Sequence, residues 1–407
     1  MQRDFQRWVL LSGVLWAILL APGLRIRADE TVGDPTDALV ADAVTVRARQ
    51  LINQLGASSY QLREEAAVEL REMGPAVLPA LREASRHDDL EIRYRVRKLR
   101  DAIEQIAQNR ALTEFLATGD PGLGHAIPGW QRFSEICGND QSARRLFVEM
   151  HEAEPGVMRL TDRSGVELQV ATEQSNSRFR RGDRQNVASR MSPATLAVFM
   201  FVMLDPGCEL SIGTRSMTSA VIGQTQIANA INEFDDSAYR RLMSRWIALA
   251  DDVSPAHRIN VAMQYSFAAG VEPAFQLIHS GARGSHVQTA ICAIGKLGGP
   301  EHLQDMTFLL EDDSDIAEGR RNGRSMFTSQ VRDVALAVML HLSGQNPSDY
   351  GFGALPFHEK YLFQPNTIGF ESDEQREQAL NQWHLWGKVQ RAQGLAIDAT
   401  AVEGVQL

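Results

Sequence analysis

The chain has 407 residues, 44% hydrophobic and 23% charged, with a formal net charge of -10 at pH 7. That length exceeds one ordinary compact core and points to two or three domains or an elongated repeat array. A mildly acidic balance argues against non-specific binding along nucleic acid, which needs clustered cations to neutralise phosphates.

At the N-terminus, Arg3 and Arg7 precede an apolar run from Trp8 to Leu24, and Ala28 offers a small residue for cleavage. This order predicts a secretory signal peptide over residues 1–28 and an exported protein, periplasmic or extracellular. Cleavage removes four basic and one acidic side chain and takes the net charge to -13. The alternative is an uncleaved anchor, with membrane contact only through residues 8–24, a run near the lower limit for a spanning helix.

Between residues 42 and 107 the apolar spacing writes helix pairs. Val44, Ala48, Leu51, Ile52 and Leu55 line a first helix, which Gly56 ends. Ser58 and Gln61 stand at capping-box spacing and open a second helix with the stripe Leu62, Ala66, Leu70 and Met73. Gly74-Pro75 closes it, a short helix covers Val77 to Ala84, and Asp88 or Asp89 caps a fourth. Ile92, Val96, Leu99, Ile103 and Ile106 give that fourth helix a narrow apolar sector. Leu62-Arg63 recurs thirty residues later as Ile92-Arg93. Units of this kind cannot bury their stripes alone and must stack, which predicts an all-α chain built as an α-solenoid.

The segment Leu62-Arg63-Glu64-Glu65-Ala66, followed by Gly74-Pro75-Ala76-Val77-Leu78-Pro79-Ala80-Leu81-Arg82, resembles the HEAT-repeat family. The resemblance implies a helical surface that binds proteins rather than transforming them. On the fourth helix Arg93, Arg97 and Arg100 share a face, a candidate site for an anion or an acidic peptide. Eleven basic and eleven acidic groups in residues 42–107 favour a solvated face instead.

In the middle region, 111–235, Gly119, Pro121, Gly122, Gly124, Pro128 and Gly129 break the helical pattern. Asn139 or Asp140 caps a helix with Ala143, Leu146, Phe147 and Met150. Alternation from Gly156 to Val170 predicts a hairpin turning at Asp162–Gly165. Residues 171–192, with five arginines, read as an exposed and partly disordered loop. Ser192-Pro193 then opens an apolar helix through Met203, too short to span a membrane. A further helix carries Val221, Ile227 and Ile231.

Residues 236–345 return to repeat-like helices, marked by Leu242 and Trp246, Ile259 and Met263, and Val287, Ile291 and Ile294. Pro300 is expected to start a helix with Leu303, Met306 and Leu309. The spacing of the Val287 stretch recurs at Val331–Val338, beyond an acidic insertion at 311–328. Ala290 to Pro300 also resembles HEAT-type repeats, including the variant named after bilin lyases, which would imply an enzyme or a cofactor-handling protein. In residues 346–407 an aromatic segment precedes a last helix, opened by Ser372 and Gln375, with Ala379, Leu380, Trp383, Trp386 and Val389 on one face. Trp383 and Trp386 either anchor a partner or dock this helix as a terminal cap; the cap is the expectation, because terminal repeats need covering.

Three cysteines remain. Cys292 lies inside an apolar helix, whereas Cys137 and Cys208 flank loops and are the candidate disulfide, with three reduced thiols as the alternative. No zinc spacing, nucleophile elbow, phosphate-cradling loop or dinucleotide fingerprint is present. The run Glu311–Asp315 lacks the glycine and closing glutamate of a calcium loop. Arg181-Gly182-Asp183 reads as a chance tripeptide. The expectation is a non-catalytic protein-binding or scaffold protein of the cell envelope, with no cofactor and another protein as partner. An enzyme or cofactor-handling protein and a membrane-anchored structural envelope component are the alternatives. The chain also resembles exported bacterial HEAT-repeat proteins, which implies binding by analogy.

Overall fold

The computed structural model describes residues 35–163, 165–180, 191–222, 225–232, 237–250, 253–321, 325–364 and 367–392. The fold is mostly α-helical, with two small two-stranded sheets among the described residues. It divides into two compact units, residues 1–107 and 108–407. The proposed signal segment, residues 1–28, lies outside the described residues. Among those described, no helix is long and apolar enough to cross a membrane.

The first unit contains α1 (Pro35–Gln54), α2 (Tyr60–Glu72), α3 (Leu78–Ala84) and the beginning of α4 (Leu90–Thr118). Its core is Ala48, Leu51, Ile52, Leu55, Ala66, Leu70, Val77, Leu81, Ile92, Val96, Leu99 and Ile103. These are most of the stripes read from the spacing; Val44 and Met73 are half-buried, and two further members are exposed. Leu62 is 47% and Ile106 57% exposed. On α2 the buried face centres on Ala66, Ala67 and Leu70, which leaves Leu62 at its margin.

The helix ends explain the turns. Asp89 caps α4, its Oδ1 accepting from the N–H groups of Glu91 at 2.7 Å and Ile92 at 3.3 Å. The capping box expected at Ser58 does not form. Ser59 is the N-cap of α2 and makes no side-chain cap bond, while the Gln61 amide donates to Glu65. The turn carbonyls find arginines instead. Arg63 Nη1 donates to Ala57 O at 2.7 Å, and Arg93 Nη1 donates to His87 O at 2.9 Å. Each reaches back to the turn before its own helix, where carbonyls lack an intrahelical partner. The recurring apolar-arginine pair thus has one structural job in both places.

The second unit takes the end of α4, then α5 (Pro121–Ala126), α6 (Trp130–Cys137), α7 (Gln141–Ala153), α8 (Pro155–Met158), α9 (Gly165–Arg180) and α10 (Pro193–Met203). There follow α11 (Ile212–Val221), α12 (Thr225–Asn232), α13 (Ala238–Leu249), α14 (Pro255–Tyr265), α15 (Val271–His279) and α16 (Ser285–Leu297). Strands β1 (Asp315–Arg321) and β2 (Ser325–Gln330) precede α17 (Val331–Leu342). Strands β3 (Phe357–His358) and β4 (Leu362–Phe363) precede α18 (Asp373–Ala392).

Apolar on every side, α10 is buried from Thr195 through Met203 and packs on α7 and α13. Its Phe201 meets Phe133 edge-on at 5.6 Å, and Phe133 leads on to Phe147 and Trp130. The hairpin expected at 156–170 is helical: α8, a turn and the start of α9 stand there. Period-two reading puts Val166, Leu168 and Val170 on one face, yet Leu168 is buried while Val166 is 69% and Val170 49% exposed. At Gly165 a Cβ would fall 1.6 Å from the Gly207 carbonyl oxygen, so the start of α9 sits directly on the turn after α10. Residues 171–180, expected in a loop, continue α9. Its polar residues are buried because they are answered: Ser175 donates to Glu154 at 2.7 Å and Asn176 to Thr214 at 2.7 Å. The rest of that expected loop, 181–190 with Arg181-Gly182-Asp183, lies outside the described residues.

From α13 to α17 successive helices pack on one another. The helix expected after Pro300 is replaced by 3-10 turns at Pro300–His302 and Thr307–Glu311, which still bury Leu303, Met306 and Leu309. The acidic insertion folds as the antiparallel pair β1–β2, and Thr328 also bridges to Phe370. Ser372 Oγ accepts from the Gln375 N–H at 3.3 Å to open α18. Arg376, 1% exposed, pairs with Asp333 of α17 at 2.7 Å and donates to Thr328 O at 3.2 Å.

Trp383 is 6% exposed and lies in the core with Ala379 and Leu380. Trp386, partly exposed, stacks on it at 4.8 Å between ring centroids. Val389, expected on the same buried face, is 50% exposed. Trp383→Ala is expected to cost about 3–5 kcal/mol of unfolding free energy. Trp386→Ala should cost less, because solvent already reaches that ring. Denaturant melts of the two variants check this, and an unchanged midpoint for Trp383→Ala would sink it.

Candidate binding surfaces

In the first unit the outward faces of α2 and α4 leave large apolar side chains uncovered. Tyr60 is 67% and Val68 47% exposed on α2; Leu90 is 73% and Tyr94 55% exposed on α4. The thirty-residue offset aligns Tyr60 with Leu90, Glu64 with Tyr94 and Val68 with Lys98. An open groove of about 750 Å³ runs along Tyr60, Gln61, Glu64, Glu65, Val68 and Glu72.

The two helices carry opposite charge. Along α2, Glu64, Glu65, Glu69 and Glu72 outnumber Arg63 and Arg71; on the first turns of α4, Arg93, Arg95, Arg97, Lys98 and Arg100 outnumber Glu91 and Asp101. Arg95 joins them, bonded to Glu64 at 2.8 Å and Glu91 at 2.6 Å, and these carboxylates raise the pKa of its guanidinium. A two-bond pair from Arg47 on α1 holds the Glu69 carboxyl below its ordinary value. Lys98 Nζ lies 4.8 Å from the centre of the Tyr94 ring.

The three arginines expected to share a ridge have different surroundings. Arg93 is turned to the His87 carbonyl, Arg100 pairs with Asp101 at 3.1 Å, and Arg97 alone of the three is exposed. They form no single anion site. Trp383 lies in the core of the second unit, so it is not open to a partner. Tyr60, Val68, Leu90 and Tyr94 were not singled out by the stripe pattern, because they fall off it. The repeat offset pairs Tyr60 with Leu90, apolar with apolar, but sets Val68 against Lys98 and Tyr94 against Glu64.

No disulfide joins Cys137 to Cys208: all three cysteines are thiols and all are buried. The Cys137 carbonyl accepts from Arg241 Nε at 2.7 Å, near the start of α13, whereas Cys208 lines a groove with Leu249, at the end of that helix. Eight residues of helix separate those two neighbours by about 12 Å, beyond the reach of one disulfide. Burial pushes the thiols of Cys137 and Cys292 up to about 12, which makes them poor nucleophiles.

The groove holding Cys208 measures about 860 Å³, and part of its polar lining is bonded within its own chain. Asp205 pairs with Arg132 at 3.1 Å, and Ser211 at the N-cap of α11 bonds Glu173. Among the described residues no group of three or more His, Cys, Asp or Glu is placed to hold a metal ion. No protein-family model matches this chain, and no curated protein or solved structure matches it.

His151 is the titratable group with the clearest consequence. It is 1% exposed, its Nε2 donates to Pro128 O at 3.2 Å, and its Nδ1 accepts from Gln108 at 2.8 Å. That pattern fixes the neutral imidazole, and burial pushes its pKa down from 6.5 to about 4. Because the folded value is depressed, the stabilisation is full above pH 6.5 and is lost as pH falls through about 4. The loss amounts to about 3 kcal/mol. Unfolding free energy measured from pH 8 to pH 4 should show this component in the native chain and not in His151→Phe; identical pH slopes would contradict it.

Proposed function

We propose that this chain is a non-catalytic protein-binding or scaffold protein of the cell envelope, and that it holds its partner on the outer face of α2 and α4. The carrying observation is the set Tyr60, Val68, Leu90 and Tyr94, large apolar side chains left in water on these two helices. Contiguous apolar side chains rimmed by charge mark interaction sites, and tyrosine supplies contact area at low entropic cost. The paired use of Arg63 and Arg93 supports reading α1 to α4 as HEAT-like repeats whose exposed helices form a ligand surface. Export rests on the basic start, apolar run and Ala28 of residues 1–28. Depressed thiol reactivity and a neutral, fully bonded His151 support a role in binding rather than in chemistry.

The test is capture from an envelope extract with the purified chain as bait, beside the double variant Tyr60→Ala, Tyr94→Ala. Both residues are more than half exposed, so the variant should melt like the native chain. Loss of two aromatic anchors should weaken retention of any captured protein at least about tenfold. Undiminished retention of the same protein would move the site away from this face.

A further inference from the structure

We infer that the partner seated on the α2/α4 face is a second copy of this chain. The inference rests on reading that face as a binding surface and goes on to say what covers it. Two carboxylates on this side of α2 are matched within the chain: Glu64 with Arg95, and Glu69 with Arg47. Other charges of the two helices are not. Among the described residues Glu65 has only the Gln61 amide and Lys98 only the Tyr94 ring, while Glu72 and Arg97 are exposed and make no ion pair within 4.0 Å.

The face therefore offers an acidic strip on α2 beside a basic strip on α4, each carrying two of the four uncovered apolar side chains. A partner of one sign would meet repulsion over half of this surface. A copy related by a two-fold axis running between the helices meets neither problem. It sets Glu65 and Glu72 against Arg97 and Lys98 of the other copy, and Tyr60 against its Leu90. One rotation satisfies both strips at once, the self-complementarity that an isologous interface requires.

Sedimentation velocity of the full purified chain over a range of concentrations reads this directly. The expected result is a monomer–dimer equilibrium that weakens with added salt, as outward charge pairs are screened. Glu65→Lys alone and Lys98→Glu alone should each weaken dimerisation about tenfold or more by setting like charges together. The double variant Glu65→Lys, Lys98→Glu exchanges the two signs and should restore it. Both positions are exposed, so thermal melts should not change. A chain that stays monomeric at every concentration overturns the inference, as does a dimer indifferent to all three variants. If the native chain is monomeric while Tyr60→Ala, Tyr94→Ala still loses a captured protein, self-association falls and the binding face stands. If neither variant set changes any association, both fall together.

Discussion

An amphipathic helix has one apolar stripe and no means of covering it alone, and the arrangement of this chain follows from that constraint. In the first unit the stripes of α1, α2, α3 and α4 close on one another around Leu51, Leu70, Leu81 and Val96. From α13 to α17 each helix covers the one before it. Helix α10 is the limiting case: with no polar side it can exist only inside, and α7 and α13 supply the walls. Stacking also brings turns together with carbonyls that no helix satisfies, which is where Arg63 and Arg93 act.

Polar groups taken inside by this packing decide which neighbour each helix takes. Helix α9 buries Ser175 and Asn176, and these match Glu154 at the end of α7 and Thr214 of α11, which itself bonds Glu173. At the other end, Arg376 commits α18 to Asp333 of α17 and to the Thr328 carbonyl of β2. Apolar stripes tolerate sliding; a buried carboxylate or amide without its partner does not, since an unmatched buried polar group costs about 1–3 kcal/mol or more. These bonds give α9 and α18 a defined seat where hydrophobic contact alone would leave several.

The α2/α4 face obeys the reverse logic. Glu64 there is matched by Arg95 while Glu65, Glu72 and Arg97 make no ion pair among the described residues, and Tyr60, Leu90 and Tyr94 stay in water beside them. A surface kept that way has an incentive to find cover, and its alternating sign restricts what the cover can be. The groove near Cys208 has a comparable size but no such open demand, because Asp205 and Ser211 already have partners in their own chain.

Wherever periodicity was strong and local, the sequence alone was enough. Helix character, the stripes of α2 and α4 apart from Leu62 and Ile106, a cap at Asp88 or Asp89, the Ser192-Pro193 opening and the burial of α10 follow from spacing, because an α-helix repeats every few residues whatever surrounds it. Tertiary contact decided the rest. The 156–180 segment looked strand-like and then loop-like, since Val166, Leu168 and Val170 alternate and the following residues are polar; Gly165 on Gly207 and the bonds of Ser175 and Asn176 made it a buried helix. Cys137 and Cys208 looked like a pair until packing set them against opposite ends of α13. The basic ridge, by contrast, dissolved for local reasons, Arg93 turning to the carbonyl six residues before it and Arg100 to the adjacent Asp101. Spacing along a chain reports which side chains share a face; which groups from elsewhere will meet that face is set only when distant segments pack.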